Sequence, residues 1–411
     1  MIELRALIFD GGPLSEFFLH PPEYLSPQNG VTGIALSYNA IFVDDVSRNM
    51  RYFPVEEGSV EFSARVAATL AAVARDITRS DSADIRRLDY ELFYGYGLLR
   101  RWRDLTERRF GRPMSPIEIE VNVSPGFPLK TGGGRVEVID HVQDFPLVFR
   151  SAPPARLHFA SSGGRFVPHG INEGDLRWGT LGGFLTHPTG GSAYAVTADH
   201  VLPSGCTHAL GTLAFETAAN FRVGHFLQRA ALANILPRRW RPSEGHIVHR
   251  SPPDIVAANQ CSAHINPASV GLDLALAEWK RNDAQRILAR PVALGETSQA
   301  LTGHFVGARS GSVKVRVVCY SIWQAYQLYG TGSEVACIAD CLQIALARRP
   351  YVWTDVSRPG DSGSWVISDS RHGAQWLGVL VGGDGERSGV VPAHRIVDHL
   401  APTYGALIPM I

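Results

Sequence analysis

The sequence predicts a mainly β protein in which a helix-containing N-terminal region precedes many short strands. Two observations support this class. The 41 Gly and 26 Pro are spread along the 411 residues as short turn signals, which favour many turns between strands over long helices. In addition, apolar and polar residues alternate from residue 117, with the period of two that is typical of half-buried strands.

The N-terminal region differs, because its apolar pattern predicts two helices. Between residues 59 and 77 the apolar side chains recur every three or four positions, as on an amphipathic helix; they are Phe62, Val66, Leu70, Val73 and Ile77. A second helix is predicted over 84–109, and its C-terminal half carries Arg100, Arg101, Arg103, Arg108 and Arg109. These arginines form either a solvated face with cations placed well for a helix C-terminus or a surface that docks a partner.

A domain boundary is predicted after two further strands, 117–123 and 135–139. The run Ser151-Ala152-Pro153-Pro154 has the composition of a loop, and the boundary falls between about 150 and 165. We therefore expect an N-terminal α+β domain over 1–160, followed by a second domain over 161–411. From the helix pair and the arginine cluster, we expect the first domain to have a recruiting, regulatory or oligomer-forming role, with a regulatory partner or self-association through it.

The second domain is expected to be a sandwich or a barrel, because short strands alternate with turns along it. The predicted strands are 181–186, 193–197, 272–278, 313–318, 365–368 and 378–381. Residues 334–347 are ambiguous, since Ala, Leu and Arg favour a helix whereas the bounding turns allow strands, and we favour strands. The Pro- and Arg-containing run 237–242 is interpreted as a surface insertion.

Composition and charge exclude several kinds of function. Hydrophobic residues make up 45% and charged residues 19%, as in ordinary globular chains, and 39 Lys+Arg balance 39 Asp+Glu. No overall field therefore attracts nucleic acid or an anionic membrane. No apolar run approaches the roughly 20 residues of a membrane helix, and the first five residues lack a secretory pattern. We expect a cytoplasmic protein that binds neither nucleic acid nor membrane.

The cysteines agree with that compartment. They are odd in number and widely spread, with no C-x-x-C pair: Cys206, Cys261, Cys319, Cys337 and Cys341. The spacing predicts neither a disulfide framework nor a zinc knuckle. We expect most of them to be small core residues.

Three short motifs in the second domain carry candidate chemistry. His200 ends a β-like run of small residues, Asp273 is a lone carboxylate within an apolar strand, and Ser362 lies between glycines. A serine hydroxyl needs a base to take its proton, and histidine is the usual base. A buried Asp273 would need a hydrogen-bonding partner, which His200 would supply. The glycines allow a tight turn in which the N–H groups of Gly360 and Ser362 point at one oxyanion.

The order of these residues along the chain discriminates among the known triads. Subtilisin order begins with the acid, and α/β-hydrolases place the serine first, whereas here the order is His200, Asp273, Ser362. A hydrolase elbow would also have glycine where this chain has Ser364. Both alternatives are therefore disfavoured.

The motifs Thr197-Ala198-Asp199-His200, Asp273-Leu274-Ala275-Leu276 and Gly360-Asp361-Ser362-Gly363-Ser364 resemble the signatures of trypsin-like (chymotrypsin-fold) serine peptidases. The resemblance covers roughly residues 176–400. Residues 179–183 and 306–311 further resemble segments of intracellular plant narrow-leaf trypsin-like proteins and their bacterial relatives. The resemblance implies a chymotrypsin-like double β-barrel with a cleft between the barrels. It also implies His200 as general base, Asp273 as its orienter, Ser362 as nucleophile, and the N–H groups of Gly360 and Ser362 as oxyanion hole.

Three positions depart from the family pattern. Asp199 stands where alanine is usual, so that an acid is adjacent to the base, where it either faces solvent or alters the proton affinity of the histidine. Val381 stands where many relatives have a serine that supports the acid. In activated secreted members the acid before the nucleophile pairs with a new N-terminal amine, so Asp361 needs another cation or other donors here.

Substrate specificity follows from the same resemblance. Val356 would form the floor of the pocket for the P1 residue, Gly383 and Gly389 its walls, and Val381, Gly382 and Gly383 the adjoining substrate-binding strand. No acid marks the floor, so a basic P1 side chain would lose its charge partner. We expect cleavage of proteins or peptides with a medium or large apolar P1 residue.

Two rival interpretations were weighed. A chymotrypsin-like fold also serves as a catalytically silent binding or scaffold module, and the departures at Asp199 and Val381 leave room for that. His246 and His249 suggest zinc, but no neighbouring Cys or acid completes a set of ligands. No phosphate-cradling glycine motif is present either. We expect no metal and no cofactor.

Overall fold

The computed structural model describes eighteen stretches of the chain. They are residues 11–12, 14–37, 107, 111–112, 118–125, 141–158, 166–168, 179–180, 182–202, 212–216, 242–260, 271–279, 291–295, 302–307, 310–328, 333–346, 356–370 and 373–411. The predicted helix over 59–77, that over 84–109 apart from the helical Glu107, the strand over 135–139 and the insertion over 237–241 lie outside them.

The described residues form strands β1 to β20. The first six are Val31–Ser37, Glu118–Val123, His141–Val142, Phe145–Ser151, Ala155–Leu157 and Phe166–Pro168. The next seven are Gly183–Thr186, Ala193–Thr197, Thr212–Glu216, Pro242–Ser251, Asp254–Ala257, Leu274–Trp279 and Ala293–Leu294. The last seven are Thr302–Gly307, Gly311–Gln327, Glu334–Leu346, Trp365–Ser370, Gly373–Gly383, Ser388–Pro392 and Ile408–Met410.

The helices of the described chain are short. Helix α1 spans Ser15–Leu19 and helix α2 spans Ala393–Tyr404, and two 3₁₀ turns span Pro27–Asn29 and Asp199–Val201. Neither described helix has the length and apolar character needed to span a bilayer. Helix α2 is fixed to β16 by a buried ion pair in which Arg395 Nη1 lies 2.7 Å from Asp340 Oδ2.

The first sheet has seven strands in the order β20-β7-β8-β12-β10-β9-β6. Strands β8 and β12 pair antiparallel, with Thr197 opposite Ala275. Because the strands run in opposite directions, the residues that follow β8 lie beside those that precede β12. This pairing brings the 3₁₀ turn with His200 next to Asp273, although 73 residues separate the two along the chain.

The second sheet has thirteen strands, and six of them close into a barrel. Each strand from β14 to β19 pairs with two others in the cyclic order β14-β15-β16-β19-β18-β17. Strands β15 and β16 form a long antiparallel hairpin, so residues 334–346 form a strand as favoured from sequence. The closed barrel and the separate seven-stranded sheet confirm the predicted mainly β, chymotrypsin-like fold class.

Two apolar clusters support these sheets. One is shared by the two sheets: it includes Val196 and Leu274 from the first sheet and the stacked pair Trp365 and Trp376 from the second, whose ring centroids are 4.1 Å apart. The other fills the barrel and extends to the N-terminal strands, with the fully buried Trp323 among its members. The alternation that predicted the strands therefore places their apolar side chains in two cores.

The N-terminal strands β1, β2, β4 and β3 continue the second sheet from the edge of β15. A buried ion pair ties them to the barrel, since Arg387 Nη1 and Nη2 lie 2.5 and 3.1 Å from the two oxygens of Glu120. Burial alone lowers the pKa of Arg387, but Glu120 and neighbouring groups outweigh it and raise that pKa overall. Strands before residue 160 thus share a sheet with strands after residue 302, and the division into two domains stays a prediction.

One cysteine is paired, although the spacing predicted no disulfide framework. Cys337 is disulfide-bonded, whereas Cys319 and Cys341 are buried free thiols. Spacing along the chain does not exclude such a pair, because a disulfide requires only that two Cα atoms come within about 7 Å in space. Disulfides persist mainly in oxidising compartments, so the cysteines no longer support a cytoplasmic location.

Candidate active site

His200 and Asp273 form a buried hydrogen-bonded pair. Nδ1 of His200 lies 2.6 Å from Oδ2 of Asp273, and the main-chain N–H of His200 donates to Oδ1 at 2.9 Å. Asp273 is 1% exposed and His200 is 7% exposed. Because both oxygens of Asp273 are engaged by one residue, the imidazole ring is held in a single orientation. The geometry leaves Nε2 on the far side of the ring from the acid.

The main chain at Asp273 is itself unusual. Its φ is +51°, in the left-handed region that residues with a side chain rarely adopt. The neighbouring Leu272 N–H donates to Ser251 Oγ at 3.0 Å, and the carbonyl of Asp273 accepts from the Asp199 N–H at 3.1 Å. These contacts hold the turn, so β10 and the 3₁₀ turn both position the acid.

Asp199 does not face solvent, because Arg250 on β10 covers it. Nε and Nη2 of Arg250 lie 2.6 and 2.9 Å from the two oxygens of Asp199, which is 3% exposed. Burial raises the pKa of Asp199, and the hydrogen bond and charge of Arg250 oppose that rise. The additional acid beside His200 is therefore matched by a cation that the sequence argument did not identify.

Ser362 lies on a tight turn that two glycines make possible. The φ angles of Gly360 and Gly363 are +103° and +91°, both in the region that favours glycine. A Cβ on Gly363 would overlap the carbonyl oxygen of Thr180. The turn is also clamped from residue 180, whose N–H donates to the Ser362 carbonyl at 2.6 Å and whose hydroxyl donates to the Gly360 carbonyl at 2.9 Å.

Asp361 obtains its donors from the loop between β14 and β15. The N–H of Ser310 donates to Oδ1 at 3.0 Å, and its hydroxyl donates to Oδ2. The N–H of Arg358 also donates to Oδ2, at 2.8 Å. A Cβ on Gly307 would overlap the Asp361 carboxylate, so this glycine permits the close approach. Local donors thus surround this carboxylate, as the sequence required.

The hydroxyl of Ser362 donates to a main-chain carbonyl. Its Oγ lies 2.6 Å from the carbonyl oxygen of Val381 on β18, and Ser362 is fully buried. A serine hydroxyl has one hydrogen to donate, so it cannot donate to Nε2 of His200 at the same time. The hydroxyl hydrogen must turn away from Val381 before an imidazole can accept it.

Residues 155–158 cover this site, and we call them the cleft segment. Strand β5 pairs antiparallel with β18, with Leu157 opposite Gly382 and Arg156 opposite Gly383. The N–H of His158 donates to Val381 O at 3.1 Å, and the N–H of Gly360 donates to His158 O at 3.2 Å. The predicted loop at the domain boundary is therefore followed by a strand that occupies the edge expected to bind substrate.

The residues predicted to line the specificity pocket are mostly buried against protein groups. Val356 is 2% exposed and belongs to the core cluster of the barrel. A Cβ on Gly389 would overlap the hydroxyl of Tyr326, and one on Gly383 would lie 3.2 Å from Nε2 of His158. Tyr326 and His158 therefore contact the two glycine walls, and the sequence argument named neither.

Of the two histidines considered as zinc ligands, His249 contacts a histidine of helix α2. Nε2 of His249 lies 3.1 Å from Nε2 of His399 on helix α2. Within the described ranges, no group of three or more His, Cys, Asp or Glu side chains is arranged to hold a metal ion. A pair of imidazoles is fewer than the three or four ligands that zinc sites use.

Comparison with known proteins gives structural neighbours only. No family model matches the chain, and no curated protein matches it. The Nocardiopsis protease is 12% identical, with a TM-score of 0.32, and the match covers 63% of this chain and 98% of that one. Thermobifida fusca protease A is 12% identical, with a TM-score of 0.32, and the match covers 61% of this chain and 97% of that one. The chymotrypsin of Cellulomonas bogoriensis is 13% identical, with a TM-score of 0.31, and the match covers 61% of this chain and 96% of that one. The strand pairings described above define the fold without these matches.

Proposed function

We propose that this chain is a serine endopeptidase in which Ser362 is the nucleophile, His200 the general base and Asp273 its orienter. The observation that carries the proposal is the buried pair of His200 and Asp273, joined by hydrogen bonds of 2.6 and 2.9 Å. A carboxylate held at Nδ1 fixes the tautomer in which Nε2 is free of hydrogen and can accept a proton.

The proposed reaction begins when the Ser362 hydroxyl hydrogen turns away from Val381. His200 Nε2 then takes the hydroxyl proton while Oγ attacks a peptide carbonyl, and Asp273 stabilises the imidazolium that forms. The N–H groups of Gly360 and Ser362 would bind the oxyanion; the first of them already donates to a carbonyl oxygen at 3.2 Å. His200 returns its proton to the leaving amine, and water hydrolyses the acyl-enzyme.

The proposed substrates are proteins or peptides with a medium or large apolar P1 residue. Val356 supplies an apolar side chain at the predicted floor of the pocket and no counter-charge for a basic P1 group. The reaction needs no cofactor. A regulatory partner, self-association through residues 1–160, a cytoplasmic location and kinship with the intracellular plant-type proteins stay predictions.

The hydrogen bond from the Ser362 hydroxyl to the Val381 carbonyl favours a second candidate function, that of a binding or scaffold module. The single hydrogen of this hydroxyl is donated to a main-chain carbonyl at 2.6 Å and is therefore not donated to a base. In a catalytically silent binding or scaffold module this arrangement would be permanent. In a peptidase it is a resting state, which ends when the hydroxyl donates to the base instead.

Labelling with a fluorophosphonate separates the two candidates. We expect the full chain to be labelled and Ser362→Ala to remain unlabelled, because the probe reacts only with an activated serine. Ser368→Ala is the matched control, since Ser368 is also fully buried but its hydroxyl donates to Gln375 on β18. The absence of labelling in the full chain and in a His158→Asp variant, which disfavours the cleft segment, would refute the peptidase and support the silent module.

A further inference from the structure

The cleft segment is bound as an extended peptide along the edge of β18. Two register pairs, Leu157 with Gly382 and Arg156 with Gly383, define an antiparallel alignment. Beyond them the N–H of His158 donates to the carbonyl of Val381 at 3.1 Å. A Cβ on Gly382 would overlap the Arg156 carbonyl, so the glycine allows the close approach of the two main chains.

The other edge of the segment is also paired. Strand β5 runs parallel to the end of β15, with Ala155 opposite Tyr326 and Arg156 opposite Gln327. A three-residue strand is therefore fixed from both sides within the second sheet. This two-sided pairing distinguishes the segment from a loop that merely crosses the site.

The carbonyl of His158 is bound by one of the two N–H groups proposed to form the oxyanion hole. The N–H of Gly360 donates to this oxygen at 3.2 Å, and Gly360 begins the turn that carries Ser362. The N–H of His158 donates to the carbonyl of Val381, and the same carbonyl accepts a hydrogen bond from the Ser362 hydroxyl at 2.6 Å. The main chain of His158 is thus held on either side of its Cα by the groups that flank the nucleophile.

The side chain of His158 is buried against the predicted wall of the P1 pocket. The residue is 7% exposed, and among the described residues neither ring nitrogen has a hydrogen-bond partner. Its Nε2 lies 3.2 Å from the position that a Cβ on Gly383 would take. Burial and the charge of His200 lower the pKa of His158 to about 4, although Asp384 opposes this. A neutral ring of medium size suits a pocket with no acid at its floor.

We propose that the chain cleaves its own peptide bond after His158, between it and Phe159, the next residue in the sequence. This inference rests on the proposed peptidase function. The Ser362 Oγ attacks the His158 carbonyl carbon, and its proton passes to His200 Nε2 and then to the departing Phe159 nitrogen. Water attacks the resulting ester and releases Ser362. The balance is one water consumed, one carboxyl group at His158 and one amino group at Phe159.

The test is the fate of the purified full chain. We expect intact mass and N-terminal sequencing to give two fragments, one ending at His158 and one beginning at Phe159, whereas Ser362→Ala remains one chain. His158→Asp should slow the cut at least about 100-fold, because a buried carboxylate near Asp384 disfavours the bound segment. His20→Asp is the matched control, since it is the same substitution at an exposed side chain outside the cleft segment, and it should change the rate less than about threefold.

The outcomes separate this proposal from the proposed function. If the wild-type chain stays whole while a fluorophosphonate labels Ser362 in His158→Asp, self-cleavage is wrong, the peptidase stands and the segment acts as an inhibitor. If neither cleavage nor labelling occurs, both fail. A cut at another bond, or one that persists in Ser362→Ala, also overturns the proposal.

A dilution series tests whether the cut occurs within one molecule, as the paired segment implies. The rate constant should not change over a hundredfold range of protein concentration. Wild-type chain added to Ser362→Ala should leave the variant whole. Efficient cleavage of the variant by added wild type would show that the segment reacts from outside, against the geometry described here.

Discussion

Replacement of Arg250 by methionine should destabilise the protein mainly through the acid that Arg250 covers. Asp199 is 3% exposed, and the Arg250 side chain retains 14% exposure. Removal of one partner from a buried ion pair costs about 3–5 kcal/mol, and the partial access of Arg250 places this case near 3 kcal/mol. At roughly 2 °C per kcal/mol for a long chain, the unfolding midpoint should fall by about 6 °C.

The loss should depend on pH in a defined direction. Burial raises the pKa of Asp199 above its ordinary value of 3.8, and without Arg250 it should rise further. A raised folded-state pKa gives stability that is fully present below pH 3.8 and is lost as the pH rises through the folded-state value. The deficit of Arg250→Met should therefore be small near pH 4 and largest at pH 8.

Thermal unfolding between pH 4 and pH 8 measures both effects. Asp199→Asn combined with Arg250→Met removes the buried charge and should recover most of the lost stability. Arg358→Met is the matched control, because residue 358 is exposed and only its main chain contacts Asp361. A midpoint at pH 8 equal to wild type, or a deficit that Asp199→Asn does not reduce, would show that the pair does not stabilise this turn.

Three further predictions concern the turn and the cleft segment. Gly363→Ala should abolish fluorophosphonate labelling of Ser362 and strongly lower the unfolding midpoint. Gly405→Ala, at a φ of +67° in open space, should cost only about 1 kcal/mol of stability. Similar thermal unfolding and labelling of the two variants would contradict this prediction. Ser310→Ala removes a hydroxyl donor to Asp361 and should cost about 1.5–3 kcal/mol in the free energy of unfolding measured with denaturant. Ser312→Ala, at an exposed position, should cost under about 0.5 kcal/mol. Equal losses in the two variants would show that the Ser310 hydroxyl does not stabilise the turn. The pKa of His158 falls from 6.5 to about 4 in the folded chain, because its burial favours the neutral ring. The neutral ring therefore stabilises the bound cleft segment fully above pH 6.5, and this stabilisation is lost as the pH falls through 4. Hydrogen exchange of the His158 amide, measured in Ser362→Ala and corrected for the intrinsic rate, should therefore accelerate as the pH falls across that range. The charged groups that face the His158 ring are His200 and Asp384. The same acceleration in the double variant Ser362→Ala with His158→Asn would show that titration of His158 is not the cause.

Much of the fold could be predicted from local patterns. Strand 193–197 was predicted at its observed bounds, and the predicted strand 117–123 is observed as Glu118–Val123, because alternation and turn residues are written in neighbouring positions. The long hairpin of β15 and β16 extends well beyond the predicted 313–318, since burial on both faces removes the alternation that marks strand length.

The contacts that complete the site were harder to predict. Arg250, Ser310 and Thr180 reach their partners across 51, 51 and 180 residues, so their roles depend on strand register rather than on any motif. One signal was available for Ser310, because Asp361 required donors and the glycine-flanked loop before β15 was already noted. The cleft segment left no local signal, since three residues after a proline pair have the composition of a linker.

The shared sheet limits what a shortened chain could reveal about residues 1–160. A chain starting after residue 160 would lack Glu120 and leave the guanidinium of Arg387 in a dry interior without its carboxylate. It would also strip the neighbour from the edge of β15, and an open edge of that kind invites aggregation. Because the two parts share a sheet, the two fragments of a chain cut after residue 158 would stay associated under native conditions and would dissociate only on unfolding.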